Sequence, residues 1–566
     1  MSLDVTELSF LPKQNGVLPF KTLVLAPLAG NRELLELPQP ISINLANFDQ
    51  VISQLAPEVD IEIDNPKLCR YQGVETQTLI FSYSVSAYND FLPEFIIHRE
   101  PSLSDMARVI EQIQGKLQLD GMKFKGGDFN CGVVEITELQ EEYISRKQLE
   151  ILVCELEAVL TDVLNQIIHQ EDFQRLEAAW TGLYWLCQTT ADSKVSLIDC
   201  VPCNRELLRD DLFSTSEVTD TQLYQSIFVD SIGQYGAIPY GAMMLDDYFA
   251  GYGDDLNILK QLTELCSEAY VPLVTSTTAS MFDTEQYPDI QNIASITDIH
   301  SGPKFIKWRS FLASEQASYL SLTLPRLLFR ASYNKQNQAL RWFEEEIGDD
   351  HEACLWGNAS YGFITNLIRS FEQHGFCTFI SGNEGGVLDV SAITQVGDDF
   401  PIEIAFSEQK EAELISLGFN PICTRQFTGQ LVFQSANSVR WGAIKLLHLV
   451  QTSDSIASAQ LQYLFIVIRI IHCLKIIFRE TVGTSTNSAE LSTHLNRWLR
   501  QFVSDVESPT KQVRAERPLR DGKVEIRDGD TTGWYDVSIE LVPHLKYLGT
   551  AVTITTSMPI INEGAA

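Results

Sequence analysis

Lys307-Trp308-Arg309-Ser310-Phe311, then Tyr319 and Leu322-Thr323-Leu324-Pro325-Arg326, and further on Leu355-Trp356-Gly357-Asn358-Ala359, form the stretch whose reading decides the fold. Trp308, Arg309, Pro325, Trp356, Gly357 and Asn358, with Trp180 upstream, are read as fold-determining, because buried aromatics dominate core energetics and need no further role. Outward from there, short apolar runs at 195–198, 241–245 and 271–275 alternate with helical stretches such as 256–269. That order predicts an α/β core. A helix to His374 follows, then strands at 377–381, 402–406 and 430–433.

Toward the N-terminus the pattern changes to short alternating runs at 22–26, 41–45, 59–63 and 78–85, with helices opening at Asn47 and Pro101. This reads as a small α+β unit over 1–120, followed by a Gly-, Lys- and Asp-rich linker to about residue 150. The remainder divides into a larger α/β domain over 151–355 and a C-terminal domain over 356–566. Within the latter, 461–478 is apolar enough to resemble a membrane span, but Arg469, His472, Lys475 and Arg479 fall on one helical stripe. A deeply buried helix, with no membrane insertion, is the expectation. Strands at 523–527, 535–541 and 551–557 finish the chain.

At 566 residues the chain exceeds what one core supports, so several packed units are expected. Its formal net charge of −34 disfavours nucleic acid and anionic membrane as partners, since neutralising phosphate requires clustered Lys and Arg. A basic partner or a high-valence assembly fits better. Eleven cysteines lack the spacing of a disulfide framework, and Met1 to Phe10 lacks the order of a signal peptide. Both features predict a reducing cytoplasm.

Residues that could carry chemistry do not assemble into a motif. Cys200 and Cys203 are two residues short of a zinc set and are read as reduced structural thiols at a turn. Glu344-Glu345-Glu346, Asp349-Asp350 and Glu352 are read as a solvated face or a docking surface, because neighbouring carboxylates on a helix diverge. Gly382, Gly385 and Gly386 lack a following Lys-Ser/Thr pair and are read as a tight turn. No catalytic, cofactor-binding or metal residue is therefore expected.

Several separated patterns resemble the large sheath subunit of bacterial type VI secretion systems, in the same order. They are Trp180-Thr181-Gly182-Leu183, Pro239-Tyr240-Gly241-Ala242, Asp246-Asp247-Tyr248, the opening stretch, Gly385-Gly386 and Leu495-Asn496-Arg497-Trp498. Leu18-Pro19-Phe20, Leu28-Ala29-Gly30, Asn47-Phe48-Asp49 and Asp90-Phe91 are similar to the small sheath subunit, so two subunits that are normally separate look fused. The resemblance implies a multidomain contractile-sheath fold, α/β and α+β, in the bacterial cytoplasm. It implies a helical homo-polymer around an Hcp-like inner tube, baseplate proteins as partners, and contraction that drives the tube outward for effector delivery. The segment ahead of Phe173, where the family's recycling AAA+ ATPase binds, is altered by the fusion. Alternative tasks for the same fold are the sheath of a phage-derived extracellular injection particle and a non-contracting sheath-like protein.

Family sheaths exchange strands between protomers. This makes Ala551, Val552, Thr553, Ile554, Thr555, Thr556 and Ser557 the candidate interprotomer strand, and Val5 to Phe10 a second one. A strand completing its own sheet is the alternative. Asn496, Arg497 and Arg500 are the candidate tube-facing residues, their basic side chains standing out in an acidic chain. Helix-dipole or salt-bridge use of the arginines is the competing reading.

Overall fold

The structure is a computed structural model describing residues 18–561, except 74–77, 119–122, 126–128, 141–142, 235, 335–338, 341, 349–350, 391–400, 426–428, 448–458, 482–487, 507–508, 529–533, 545, 548–549 and 552–553. The strands used below are Phe20–Ala26 (β1), Ile41–Ile43 (β2), Glu58–Asp64 (β3), Thr78–Ser84 (β4), Ser196–Pro202 (β5), Tyr240–Phe249 (β6), Leu273–Thr277 (β7) and Leu320–Leu324 (β8). They continue with Leu327–Arg330 (β9), Leu355–Gly357 (β10), Phe419–Thr424 (β11), Leu431–Phe433 (β12), Leu519–Asp528 (β13), Trp534–Pro543 (β14) and Ile554–Ile561 (β15). The helices are Phe48–Leu55 (α1), Pro101–Leu117 (α2), Arg146–Ile168 (α3), Glu171–Thr189 (α4), Arg205–Ser214 (α5), Gly253–Ala269 (α6), Ile306–Leu312 (α7), Ala359–His374 (α8), Leu461–Thr481 (α9), Ser488–Leu499 (α10) and Lys511–Glu516 (α11).

Eight strands form one sheet in the order β12-β11-β8-β7-β6-β1-β5-β2. All neighbours from β11 to β5 run parallel, and the edges β12 and β2 are antiparallel. Strand β1 shows why the sheet is buried on both faces: Val24 and Ala26 join one apolar cluster with α4 and α8, while Leu23 and Leu25 join another with α6 and α7. Side chains alternate across a strand, so one apolar run supplies both layers.

Because β1 lies between β5 and β6, the first 120 residues are not a self-contained sheet. They contribute the central strand of the large one. What remains of the expected α+β unit is the β3–β4 ribbon with helices α1 and α2, and Val59, Ile61 and Ile63 of the ribbon join the same apolar cluster as Phe48, Ile52, Met106 and Ile110 of the helices. The outer edge of β3 is closed by glutamine side chains at the α3–α4 junction: Asp64 N donates to Gln166 Oε1 at 2.8 Å, and Gln170 Nε2 donates to Asp60 O at 2.7 Å. Of the stretch read as a linker, Phe129, Val134, Ile136 and Leu139 are buried in that same cluster.

Helix α9 is the one helix among the described residues long and apolar enough to cross a membrane, and most of it is buried in the protein. Its polar stripe has definite partners. Arg469 donates to the carbonyls of Leu18 and Pro19, Lys475 lies 4.1 Å from the centre of the Tyr270 ring, and Arg479 donates to Ile232 O at 2.9 Å. The stripe thus fastens the C-terminal part to the start of β1 and to the sheet's helical layer. A third apolar cluster joins α9 and α10 to the antiparallel sheet β13-β14-β15.

Two expected strands are absent. Residues 377–381 run irregularly, Phe379 N being taken by Ser370 Oγ at 3.1 Å. At 402–406 only Ile402 forms a bridge, with Leu327, after which Glu403 turns to Arg326. Tertiary side-chain partners displaced ladder bonds in both places.

Candidate functional site

Trp180 is fully buried, and its Nε1 donates to Leu28 O at 3.2 Å, tying α4 to the end of β1. Trp308 is also fully buried, on α7. Arg309 donates to Gly302 O at 2.8 Å and to His300 O at 2.5 Å, closing the turn ahead of its own helix. Pro325 follows β8 through a cis peptide. Gly357 is required by contact: a Cβ there would lie 2.2 Å from the Phe329 ring. Asn358 caps α8, accepting from Ser360 N at 2.9 Å and from Ser276 Oγ at 2.7 Å, and donates to Asp247 O at 3.2 Å. These residues cluster where the sheet's parallel strands end.

The remaining candidates lie in the C-terminal sheet and its helices. Asn496 is half-buried, and its side chain both donates to Val524 O at 2.7 Å and accepts from Val524 N at 3.0 Å. It pins α10 to β13 as an amide would in a ladder, while Arg497 and Arg500 are exposed and Trp498 packs inward on Phe502. Of the candidate exchanged strand, Ile554 to Ser557 belong to β15, which pairs antiparallel with β14 of the same chain. Ala551 pairs with Lys546 in a short bridge, whereas Val552, Thr553 and the N-terminal candidate Val5 to Phe10 lie outside the described residues.

The thiol pair is not at a turn. Cys200 sits in β5 and Cys203 just after it, both buried and reduced. Burial, with Asp199 nearby, pushes the Cys200 thiol up to about 12, and burial pushes Cys203 up as well. Neither is a thiolate at neutral pH. The acidic run is solvated only in part and is not helical: Glu344 and Glu346 are exposed and 349–350 lie outside the described residues, but Glu345 is buried, accepts from Arg330 Nη1 at 2.7 Å and from Tyr333 N at 2.8 Å, and is held down to about 2 against its own burial by that guanidinium and His169. Its companion Glu177 also receives Arg330, at 2.8 Å, yet burial pushes it up, because its Oε2 has no partner.

A cleft of about 830 Å³ opens at the carboxyl ends of the parallel strands, a feature the sequence did not announce. Its floor holds Pro27 after β1, Asp246 to Tyr248 in β6, Thr278 after β7 and Arg326 after β8; α4 forms one wall and residues 352–358 the other. Arg205 is bound to Asp247 at 2.7 and 2.8 Å and to Asp255 at 3.0 Å. Arg326 grips Glu403 and Glu352 through four bonds of 2.8 Å. Asp246 accepts from Tyr361 Oη at 2.9 Å and has no ion pair among the described residues. Burial pushes it up to about 6. His351, Glu352 and Glu403 stand close enough to hold a cation, but Arg326 already occupies both carboxylates. A mobile cation would have to displace a bidentate guanidinium.

Residues 150–440 match the EvpB/VC_A0108 tail sheath N-terminal domain, called VipB. Residues 450–559 match the tail sheath gpW/gp25-like domain of the same proteins, and residues 12–120 match the type VI secretion system family described as VipA, VC_A0107 or Hcp2. The type VI secretion system sheath protein TssC1 of Pseudomonas aeruginosa is 29 % identical over 423 residues, covering 72 % of this chain and 85 % of the relative.

Proposed function

Because the chain belongs to the EvpB/VC_A0108 tail sheath family, we propose that it is a protomer, with small- and large-subunit regions joined in one polypeptide, of a contractile sheath that encloses an inner tube and expels it on contraction. The structural sheath role and self-assembly into a helical polymer follow from the family itself. The observation that carries the rest is the succession of a VipA-like and both VipB-like regions in one polypeptide. An Hcp-like tube inside, a baseplate at one end, recycling by an AAA+ ATPase and residence in the bacterial cytoplasm complete the proposal. Contraction needs interprotomer contacts with two arrangements and no nucleotide at the step itself.

Two sets of residues serve this reading. Among the described residues strand β15 is joined to the sheet through β14 alone, so its removal to a neighbour exchanges one ladder for an equivalent one. Exposed Arg497 and Arg500 supply positive charge toward an acidic tube, with Asn496 holding their helix on β13. No catalytic role is included: both thiols of the one cysteine pair are buried and raised.

Deleting residues 552–566 tests the arm. The purified truncation should keep the folded eight-stranded sheet by circular dichroism and form no hollow cylinders in negative stain, whereas the full chain does. Cylinders of normal length from the truncation would refute the exchange.

A further inference from the structure

The cleft lies at the topological switch point of the sheet. From β1 the chain adds β5 on one side, then crosses to place β6 on the other, so the loops after β1 and β6 diverge and leave a crevice at their carboxyl ends. Open α/β sheets take their ligands at this point. Its volume of about 830 Å³ is that of a binding site, and nothing in the sheath role described above uses it.

Its electrostatics select the occupant. Three arginines line the cleft, Arg175, Arg205 and Arg326, but two are saturated by Asp247, Asp255, Glu352 and Glu403. Asp246 faces the cavity with no ion pair among the described residues, although the charge of Arg175 reaches it, and Glu171 adds a further exposed carboxylate, so that six carboxylates (Glu171, Asp246, Asp247, Asp255, Glu352 and Glu403) stand against three arginines. Negative charge is in excess, so a cationic group is favoured over a phosphate or carboxylate. The ring of Trp356 in the cleft wall already has His351 stacked on it at 4.9 Å and the Arg326 guanidinium 5.8 Å from its centre, so the carboxylates and not this ring select the occupant.

The chain itself carries the complementary charge. Arg514, Arg517 and Arg520 are exposed and have no carboxylate partner among the described residues, unlike Lys511, which is paired with Glu384. They cannot reach the cleft of their own molecule. Helix α11 packs against α8 near its C-terminal end, where Glu516 acts on His374, while α8 begins beside Asn358 in the cleft. The sixteen residues of α8 set these two ends about 24 Å apart.

We propose that the cleft receives an arginine from a neighbouring copy, supplied by the Arg514, Arg517 and Arg520 surface and accepted by Asp246. This rests on the self-assembly reading and deepens it, naming a donor and an acceptor at opposite ends of one helix. Such a contact is heterologous, and a heterologous contact that does not close on itself propagates as an open helix. It also brings unlike charges together where protomers of net charge −34 must meet.

Cys354, a reduced thiol on the cleft wall, is a native reporter. Single variants Arg514→Cys, Arg517→Cys and Arg520→Cys are assembled into cylinders, oxidised mildly and digested without reduction. At least one should form an intermolecular disulfide to Cys354 that Cys354→Ser abolishes. In wild-type cylinders, iodoacetamide labelling of Cys354 should fall at least five-fold from that of the dissociated protomer, with the exposed Cys154 as internal comparison. Asp246→Asn, folded by circular dichroism, should raise the concentration needed for assembly at least ten-fold, and Arg517→Glu should raise it in the same direction. Equal labelling of Cys354 in cylinders and protomer, or no cross-link from any of the three positions, overturns the proposal. Protection of Cys354 in the dissociated protomer by millimolar spermine without any cross-link in cylinders also overturns it, in favour of a free polyamine. A wild-type chain that forms no cylinders would overturn the sheath reading instead, and this contact with it.

Discussion

Replacing Asn358 by alanine tests whether the residues around the strand ends hold the fold together. Asn358 is 1 % exposed, and its side chain is the cap of α8, a partner of Ser276 on β7 and a donor to the backbone of β6. Loss of an asparagine cap destabilises by about 1 kcal/mol. The bond lost is the one from Ser360 N–H, and because Ser360 is fully buried its unmet donor sets the cost at about 1–3 kcal/mol in place of that surface value. The other two partners are insured: Ser276 Oγ keeps Thr323 Oγ1 at 2.8 Å, and Asp247 O keeps Thr275 Oγ1 at 2.9 Å. The cost is about 2 kcal/mol, which for a chain of 566 residues, at about 2 cal/mol/K of unfolding entropy per residue, lowers the melting midpoint by about 2 °C. Scanning fluorimetry of the dissociated protomer reads it, and Asn358→Ser, which restores an acceptor at the cap, should recover about half of the loss. A midpoint within about 0.5 °C of wild type for Asn358→Ala would refute the accounting.

Asp246→Asn should stabilise the protomer at pH 7 even as it weakens assembly. Its folded pKa of about 6 lies above the ordinary 3.8, so the native state holds the proton more tightly, and the penalty of ionisation builds up between about pH 4 and pH 6 and is full above that. Tyr361, Arg175 and Asn358 oppose that shift and Asp247 reinforces it. The gain over wild type, at most about 3 kcal/mol from the size of the shift, should shrink as the pH falls from 6 to 4 in urea titrations. Arg330→Met should cost about 3–5 kcal/mol at pH 7, because Glu177 and Glu345 are left buried without their cation. The wild-type Glu345 contribution is present above pH 4.5 and lost as the pH falls toward 2, so the gap between the two proteins should narrow in acid; a constant gap from pH 7 to pH 3 would contradict the pairing. Gly385→Ala places a Cβ 1.9 Å from Phe379 O, a backbone atom that cannot rotate away, and should lower stability by about 1–3 kcal/mol. A neutral effect in thermal unfolding would show that the turn at 379–386 yields.

What could be read from the sequence was local. The strands at 20–26, 78–84, 273–277 and 519–528 were visible as short β-rich runs between turn residues, and α9 as a buried helix with one polar stripe. The partners of that stripe were not visible, because Arg469 and Arg479 bond to backbone carbonyls, which carry no residue signature. Glu345 was misread for a related reason: a carboxylate run looks solvated until Arg330 and Tyr333 arrive from elsewhere in the chain. Cys200 lies in β5, where burial on both faces of the sheet, not a turn, sets its environment. The cleft was the least legible feature. Asp246 to Tyr248 stood out as a motif, but Arg175, Arg326 and Glu352 join them only because the strands end at one level.

The position of β1 changes what the fusion means. Had the N-terminal region been a closed unit, joining it to the rest would only raise the local concentration of one folded partner for another. Instead β1 pairs along its whole length with β5 and along most of it with β6, and its two faces feed two different cores. Neither side is complete without it. Arg469 on α9 fastens its leading residues, and Trp180 fastens its trailing Leu28, so both ends of the strand are held by the VipB-like region. Covalent continuity therefore converts an association step into a folding step, and stoichiometry is fixed before any contact between protomers forms. The same continuity separates two classes of contact: those inside the protomer are largely buried and apolar, whereas those proposed between protomers use exposed arginines, an acidic cleft and an edge strand.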